Sequence, residues 1–148
     1  MSTDWVTLTA DWGGEMAFLG KNEKGGSVQM GAVDGVPGVS PMEMLLFGLI
    51  GCSGVDVVHI LRKKRLTLDD FRLAVRAKRA PNHPKVYTEI EISYMLWGSD
   101  LTPKAVEQAI ELSEEKYCSA SAMLGKTAKI SSTYQILAPG ETIEEQVS

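Results

Sequence analysis

Ser40-Pro41-Met42-Glu43-Met44-Leu45-Leu46-Phe47-Gly48-Leu49-Ile50-Gly51-Cys52 is the stretch whose reading decides the fold. Ser40 is an N-cap, because its hydroxyl accepts from the free N–H groups of a first helical turn. Pro41 takes the first helical position, where its missing N–H costs nothing. Glu43 falls three residues after Ser40 and completes a capping box. From Met42 to Ile50 the helix is apolar on nearly every side, which predicts burial on most faces. Beyond Cys52 the apolar stripe narrows to Val55, Val58 and Leu61. Arg62-Lys63-Lys64-Arg65 then places cations at the negative end of the helix dipole. The whole element spans about 24 residues and on the order of 36 Å.

Shorter elements flank it. Upstream, alternation from Trp5 to Ala10, then Met16–Leu19 and Ser27–Val33, predicts three strands separated by Gly13-Gly14 and Asn22-Glu23-Lys24-Gly25-Gly26. Downstream, Phe71–Lys78 and Val86–Trp97 alternate as two more. On the second, Val86, Thr88, Ile90, Ile92, Tyr94 and Leu96 share a face. Thr102-Pro103 repeats the helix-start signal, and Val106, Ala109, Ile110 and Ser113 line one stripe. A break at Tyr117-Cys118 leads into a short helix stopped at Gly125, and Ala128–Ile136 is a last strand. The order βββ-α-ββ-αα-β predicts an α+β fold, with antiparallel sheets around a long central cysteine-bearing helix. Residues 1–148 read as one domain, with 138–148 as a frayed tail.

A net charge of -4 and a pI near 5.2 argue against a nucleic-acid-binding surface. Gly51, Ser53 and Asp56 interrupt the best candidate for a membrane span, and Met1-Ser2-Thr3-Asp4 lacks the pattern of a signal peptide. The expected location is therefore the cytoplasm. There, two cysteines are expected as free thiols or a transient redox pair.

The residues suited to chemistry are Cys52, Cys118, His59 and His83. A cysteine reacts as thiolate. Cys118, at a helix start beside Lys116, reads as the reactive thiol, and Cys52, among apolar neighbours, as a core residue. No two of these four residues have the spacing of a zinc site, and no glycine cluster has the spacing of a phosphate loop. No metal and no cofactor is expected.

Ser40-Pro-Met-Glu-Met-Leu-Leu, followed by Gly51-Cys52 in the same helix, resembles the (N/S)-P-x-E-L-L…C signature of the OsmC/Ohr family. These are the osmotically inducible protein C and organic hydroperoxide resistance proteins. Glu115-Lys-Tyr-Cys118-Ser-Ala-Ser resembles the family's second cysteine motif. The resemblance implies an intertwined homodimer with the long helices packed centrally. It also implies a thiol peroxidase acting on organic hydroperoxides. Cys52 would become a sulfenic acid, Cys118 would resolve it as a disulfide, and a dithiol reductant would restore both thiols. That order reverses the reading from local chemistry. The peroxidases of the family carry a glutamate ten residues before the first cysteine and an arginine in the early strands. Here Met42 stands at the first position and the first arginine of the chain is Arg62. The sequence thus resembles a divergent OsmC-like branch. Three functions follow as expectations: the peroxidase; a non-catalytic binder of a small hydrophobic molecule at the dimer interface, lined by Met42, Met44, Phe47 and Met123; and a redox sensor.

Overall fold

A computed structural model of the chain describes residues 4–143. The chain forms two compact units, Met1–Phe47 and Gly48–Ser148. In the first, β1 (Leu8–Trp12), β2 (Phe18–Asn22) and β3 (Ser27–Met30) make the expected antiparallel meander. Asn22 closes the β2–β3 turn by accepting from the N–H groups of Lys24 and Gly26 at 3.1 and 2.7 Å. The first strand begins at Leu8 rather than Trp5, and all five of its residues are exposed rather than alternately buried. The pleat puts apolar side chains on a face, but a single three-stranded layer has no second layer of its own to cover them.

Helix α1 (Pro41–Lys63) starts with the capping box read from the sequence. The Glu43 N–H donates to Ser40 Oγ at 3.0 Å, and the Ser40 N–H donates to Glu43 Oε1 at 2.8 Å. The backbone donor at Ser40 holds the Glu43 carboxyl below its ordinary pKa. The expected all-round burial from Met42 to Ile50 is not observed. Leu45 and Phe47 are 47% and 51% exposed, while Leu49, Val57 and Leu61 are fully buried. The helix is long and apolar enough to cross a membrane by length and composition alone, with a mean hydropathy of 2.0 in its best window. The interruptions at Gly51, Ser53 and Asp56 do not lower that mean enough to exclude it. Ser53 and Asp56 hydrogen-bond to the side chains of Tyr94 and Ser113.

In the second unit, β4 (Asp70–Arg79), β5 (Tyr87–Trp97) and β6 (Lys129–Leu137) form a sheet in that order. Ile90, Ile92, Tyr94 and Leu96 are buried, as their alternation predicts. Arg76–Glu91 and Lys78–Glu89 ion pairs tie β4 to β5 on the other face. One expectation is corrected: the sheets are not wholly antiparallel, because β6 pairs parallel to β5. Residues 98–128 carry the chain back to the same end of the sheet through helices, and a crossover of that length makes a parallel neighbour. Within it, α2 (Pro103–Leu112) is capped by Thr102 Oγ1, which accepts from the Ala105 N–H at 3.2 Å. The α-helix ends at Leu112 rather than near Lys116, a π-helical turn (Ser113–Tyr117) leads to the expected break at Cys118, and α3 (Ser119–Leu124) follows. At the end of β5, the Trp97 indole donates to the Glu141 carbonyl at 2.6 Å. Residues 144–148 of the expected tail lie outside the described residues.

Gly54 sets how closely α1 approaches β4. A Cβ there would meet Leu73 Cδ1 at 3.1 Å. Gly54→Ala should be near neutral, since a flexible leucine end yields and helix propensity gains about 1 kcal/mol. Gly54→Leu should lift the helix off the sheet and cost about 1–3 kcal/mol in urea unfolding.

Candidate active site

Cys52 and Asp56 are four residues apart on α1 and so lie on one face of the helix. Cys118 is the N-cap of α3, positioned by the π turn, whose last bond runs from the Cys118 N–H to the Ser113 carbonyl at 2.7 Å. The two sulfurs and a carboxylate oxygen of Asp56 all lie within 4.8 Å of one another. Both cysteines are free; Cys118 is buried and Cys52 is half-buried. The structure thus brings together the two cysteines singled out in the sequence. It leaves His59 exposed on α1 and His83 exposed in the 81–84 loop.

The two thiols differ in environment, and the local reading of Cys118 is corrected. Its sulfur does accept from a helix N-terminus, the Ser121 N–H at 3.4 Å. Burial outweighs this and pushes the Cys118 thiol above its ordinary value, with the neighbouring Cys52 sulfur adding to the rise. The buried Ser121 hydroxyl faces the Cys118 sulfur and, with the Ser121 N–H, works against that rise. The Lys116 ammonium lies 5.2 Å over the Tyr117 ring.

Behind the cysteines runs a buried polar chain. The Ser113 hydroxyl lies 2.9 Å from Asp56 Oδ2 and 3.1 Å from Ser53 Oγ. Ser53 meets the Tyr94 hydroxyl at 2.5 Å, Tyr94 donates to Glu114 Oε1 at 3.0 Å, and Ser132 donates to Glu114 Oε2 at 3.2 Å. Burial raises the Tyr94 phenol well above its ordinary value, so it stays a neutral donor. Between Asp56 and Glu114, the hydroxyls of Ser113, Ser53 and Tyr94 bring three protons to four contacts. With both carboxylates ionised, one contact lacks a proton. A proton arriving at either end is therefore accommodated by hydroxyl rotation alone. Sequence reasoning missed Asp56, Ser113, Tyr94 and Glu114 as a group. The Cys-x-x-x-Asp spacing of Cys52 and Asp56 was the one local signal for any of them.

Met44 lines a groove of about 580 Å³ with Leu8, Ala10, Val28 and Met30 in the first unit. Met123, in the second unit, is 68% exposed.

The family model described as OsmC-like protein matches residues 33–133. The chain is 37% identical over 127 residues to protein YhfA of Escherichia coli K12, covering 86% of this chain and 95% of that one. A crystal structure of a protein from Aquifex aeolicus VF5 superposes with a TM-score of 0.82 at 37% identity, covering 92% of this chain and 98% of that one. The organic hydroperoxide resistance protein OhrB of Bacillus subtilis shares the fold, with a TM-score of 0.60 at 14% identity over 88% of this chain and 98% of that one. The chain belongs to the OsmC-like family. Proteins of this family are generally dimeric.

Proposed function

We propose that this protein is a cytoplasmic, homodimeric thiol peroxidase that reduces organic hydroperoxides through Cys52, with Cys118 as the resolving cysteine. The observation that carries the reading is the approach of two free sulfurs to within 4.8 Å, from positions 66 residues apart in the chain. The Cys52 thiolate attacks the hydroperoxide, forming an S–O bond as the O–O bond breaks. The alkoxide leaves and takes a proton, giving the alcohol and a Cys52 sulfenic acid. Cys118 sulfur then attacks the sulfenic sulfur, and the hydroxyl departs as water with the Cys118 proton. A dithiol reductant returns both thiols by exchange.

Burial supports this order. Cys118 is 2% exposed, and its thiol is disfavoured as thiolate, whereas Cys52 is open enough to meet a substrate. Asp56 acts as proton acceptor and donor for both sulfurs, and the hydroxyl chain to Glu114 stores the proton. A negative Asp56 does not itself stabilise a thiolate, so its role is transfer. Leu45, Phe47 and Val55, exposed on α1 of a single chain, support the dimer.

Cys118→Ser should complete one turnover and stop at the sulfenic acid, trapped by dimedone and read by mass spectrometry. Continued turnover with the dithiol reductant would exclude the resolving role. Asp56→Asn should slow hydroperoxide consumption by about 100-fold in stopped flow.

A further inference from the structure

Two thiols and a carboxylate converging at one point form a ligand set as well as a redox pair. Zinc(II) bonds thiolate sulfur at about 2.3 Å and carboxylate oxygen at about 2.0–2.2 Å. Ligand atoms around a tetrahedral ion are therefore about 3.6–3.8 Å apart. The Cys52, Asp56 and Cys118 ligand atoms, all within 4.8 Å, lie close to that spacing and need only side-chain adjustment. Such a site is invisible to spacing rules, because those rules pair cysteines and histidines along the chain. Here α1 supplies two ligands and the cap of α3 the third.

We propose that Cys52, Asp56 and Cys118 bind one zinc(II) ion per chain, with a fourth position left for water. Two soft thiolates select zinc over magnesium or calcium, and with the carboxylate they more than balance the charge of the ion. The surroundings are those of a ligand site. The Ser113 hydroxyl contacts Asp56 Oδ2 at 2.9 Å and orients the carboxylate. The buried Ser121 turns its hydroxyl and its N–H toward the Cys118 sulfur, a second donor pair beside the ligand set. Binding replaces the two thiol protons, which pass to solvent, and withdraws both sulfurs from oxidation. That ligation stands apart from the peroxidase reading; only its inhibitory consequence rests on it.

The test uses the reduced full-length chain and cobalt(II), a coloured substitute for zinc. One equivalent should give thiolate-to-cobalt charge-transfer absorption, and one equivalent of zinc should bleach it. Zinc should also protect both thiols from alkylation. Affinity should fall by about 10–100-fold in Ser113→Ala, which keeps all three ligands, and by more in Asp56→Asn. Cys52→Ser should lose the charge-transfer band characteristic of two sulfurs, and exposed His59→Asn should bind as the wild type does. No charge-transfer band in the wild type, or an unchanged band in Cys52→Ser, would overturn the site. Zinc should separately stop hydroperoxide consumption, with recovery on adding a chelator. Cobalt binding in a protein without peroxidase activity would leave the site standing and remove the peroxidase reading.

Discussion

Under the proposed function, replacing Cys52 with serine should lower kcat/KM for organic hydroperoxides by at least about 1,000-fold, because the nucleophile of the first step is gone. Cys118 cannot substitute. It is 2% exposed, its thiol is held above its ordinary value by burial, and its sulfur already accepts from the Ser121 N–H. A serine hydroxyl at position 52 keeps the helix and much of the side-chain volume, so folding should be retained. The measurement is stopped-flow consumption of an organic hydroperoxide with a dithiol reductant. Full activity in Cys52→Ser would end the account given under Proposed function. Substantial residual activity would place the chemistry at Cys118 and restore the ranking that the local sequence suggests.

Tyr94→Ala should be the most damaging core substitution, costing about 3–5 kcal/mol. Tyr94 heads the largest side chains that are fully buried. Its ring stacks on Phe71 with centroids 6.4 Å apart, and its hydroxyl links Ser53 to Glu114. Truncation opens a cavity and also leaves Ser53 and Glu114 each short of a partner. Tyr94→Phe separates these effects. It retains the ring and should cost about 1–3 kcal/mol, the penalty for leaving buried polar groups unmatched. Urea unfolding followed by circular dichroism reads both. Tyr94→Phe should also interrupt the hydroxyl chain without touching either cysteine. It should therefore slow hydroperoxide consumption while leaving the reactivity of Cys52 toward an alkylating agent unchanged. Equal stability of Tyr94→Phe and the wild type would show that the network contributes nothing net.

What was legible in the sequence was local. The capping box at Ser40 and Glu43, the Thr102-Pro103 helix start, and the buried face Ile90, Ile92, Tyr94 and Leu96 all follow from spacing along a few residues, and all are present. The α+β class followed from the order of those elements. Illegible was whatever depended on the third dimension. The parallel pairing of β6 depends on where a long crossover lands, which alternation within β6 does not encode. The exposure of Leu45 and Phe47 was likewise hidden, because an apolar residue shows that a face wants cover and not what covers it. At the site, the two cysteines were found by their resemblance to family motifs. The ranking from local chemistry rested on helix-start geometry, which is visible in the sequence, and left out the burial of Cys118, which is not. Asp56 could have been flagged from its four-residue spacing to Cys52. Ser113, Tyr94 and Glu114 could not, since they join Asp56 only through contacts spanning 20 to 60 residues.

The pairing of Cys52 with Cys118 is the claim on which the functional reading stands. The reduced chain, treated with one equivalent of an organic hydroperoxide and quenched with an alkylating agent, should be analysed by intact mass and peptide mapping without reductant. The result expected is rapid loss of two hydrogens, no alkylation at either cysteine, and a single cross-linked peptide joining Cys52 to Cys118 within one chain. Two alkylated cysteines after exposure to the hydroperoxide would contradict it, as would oxidation of Cys52 beyond the sulfenic acid with Cys118 still free.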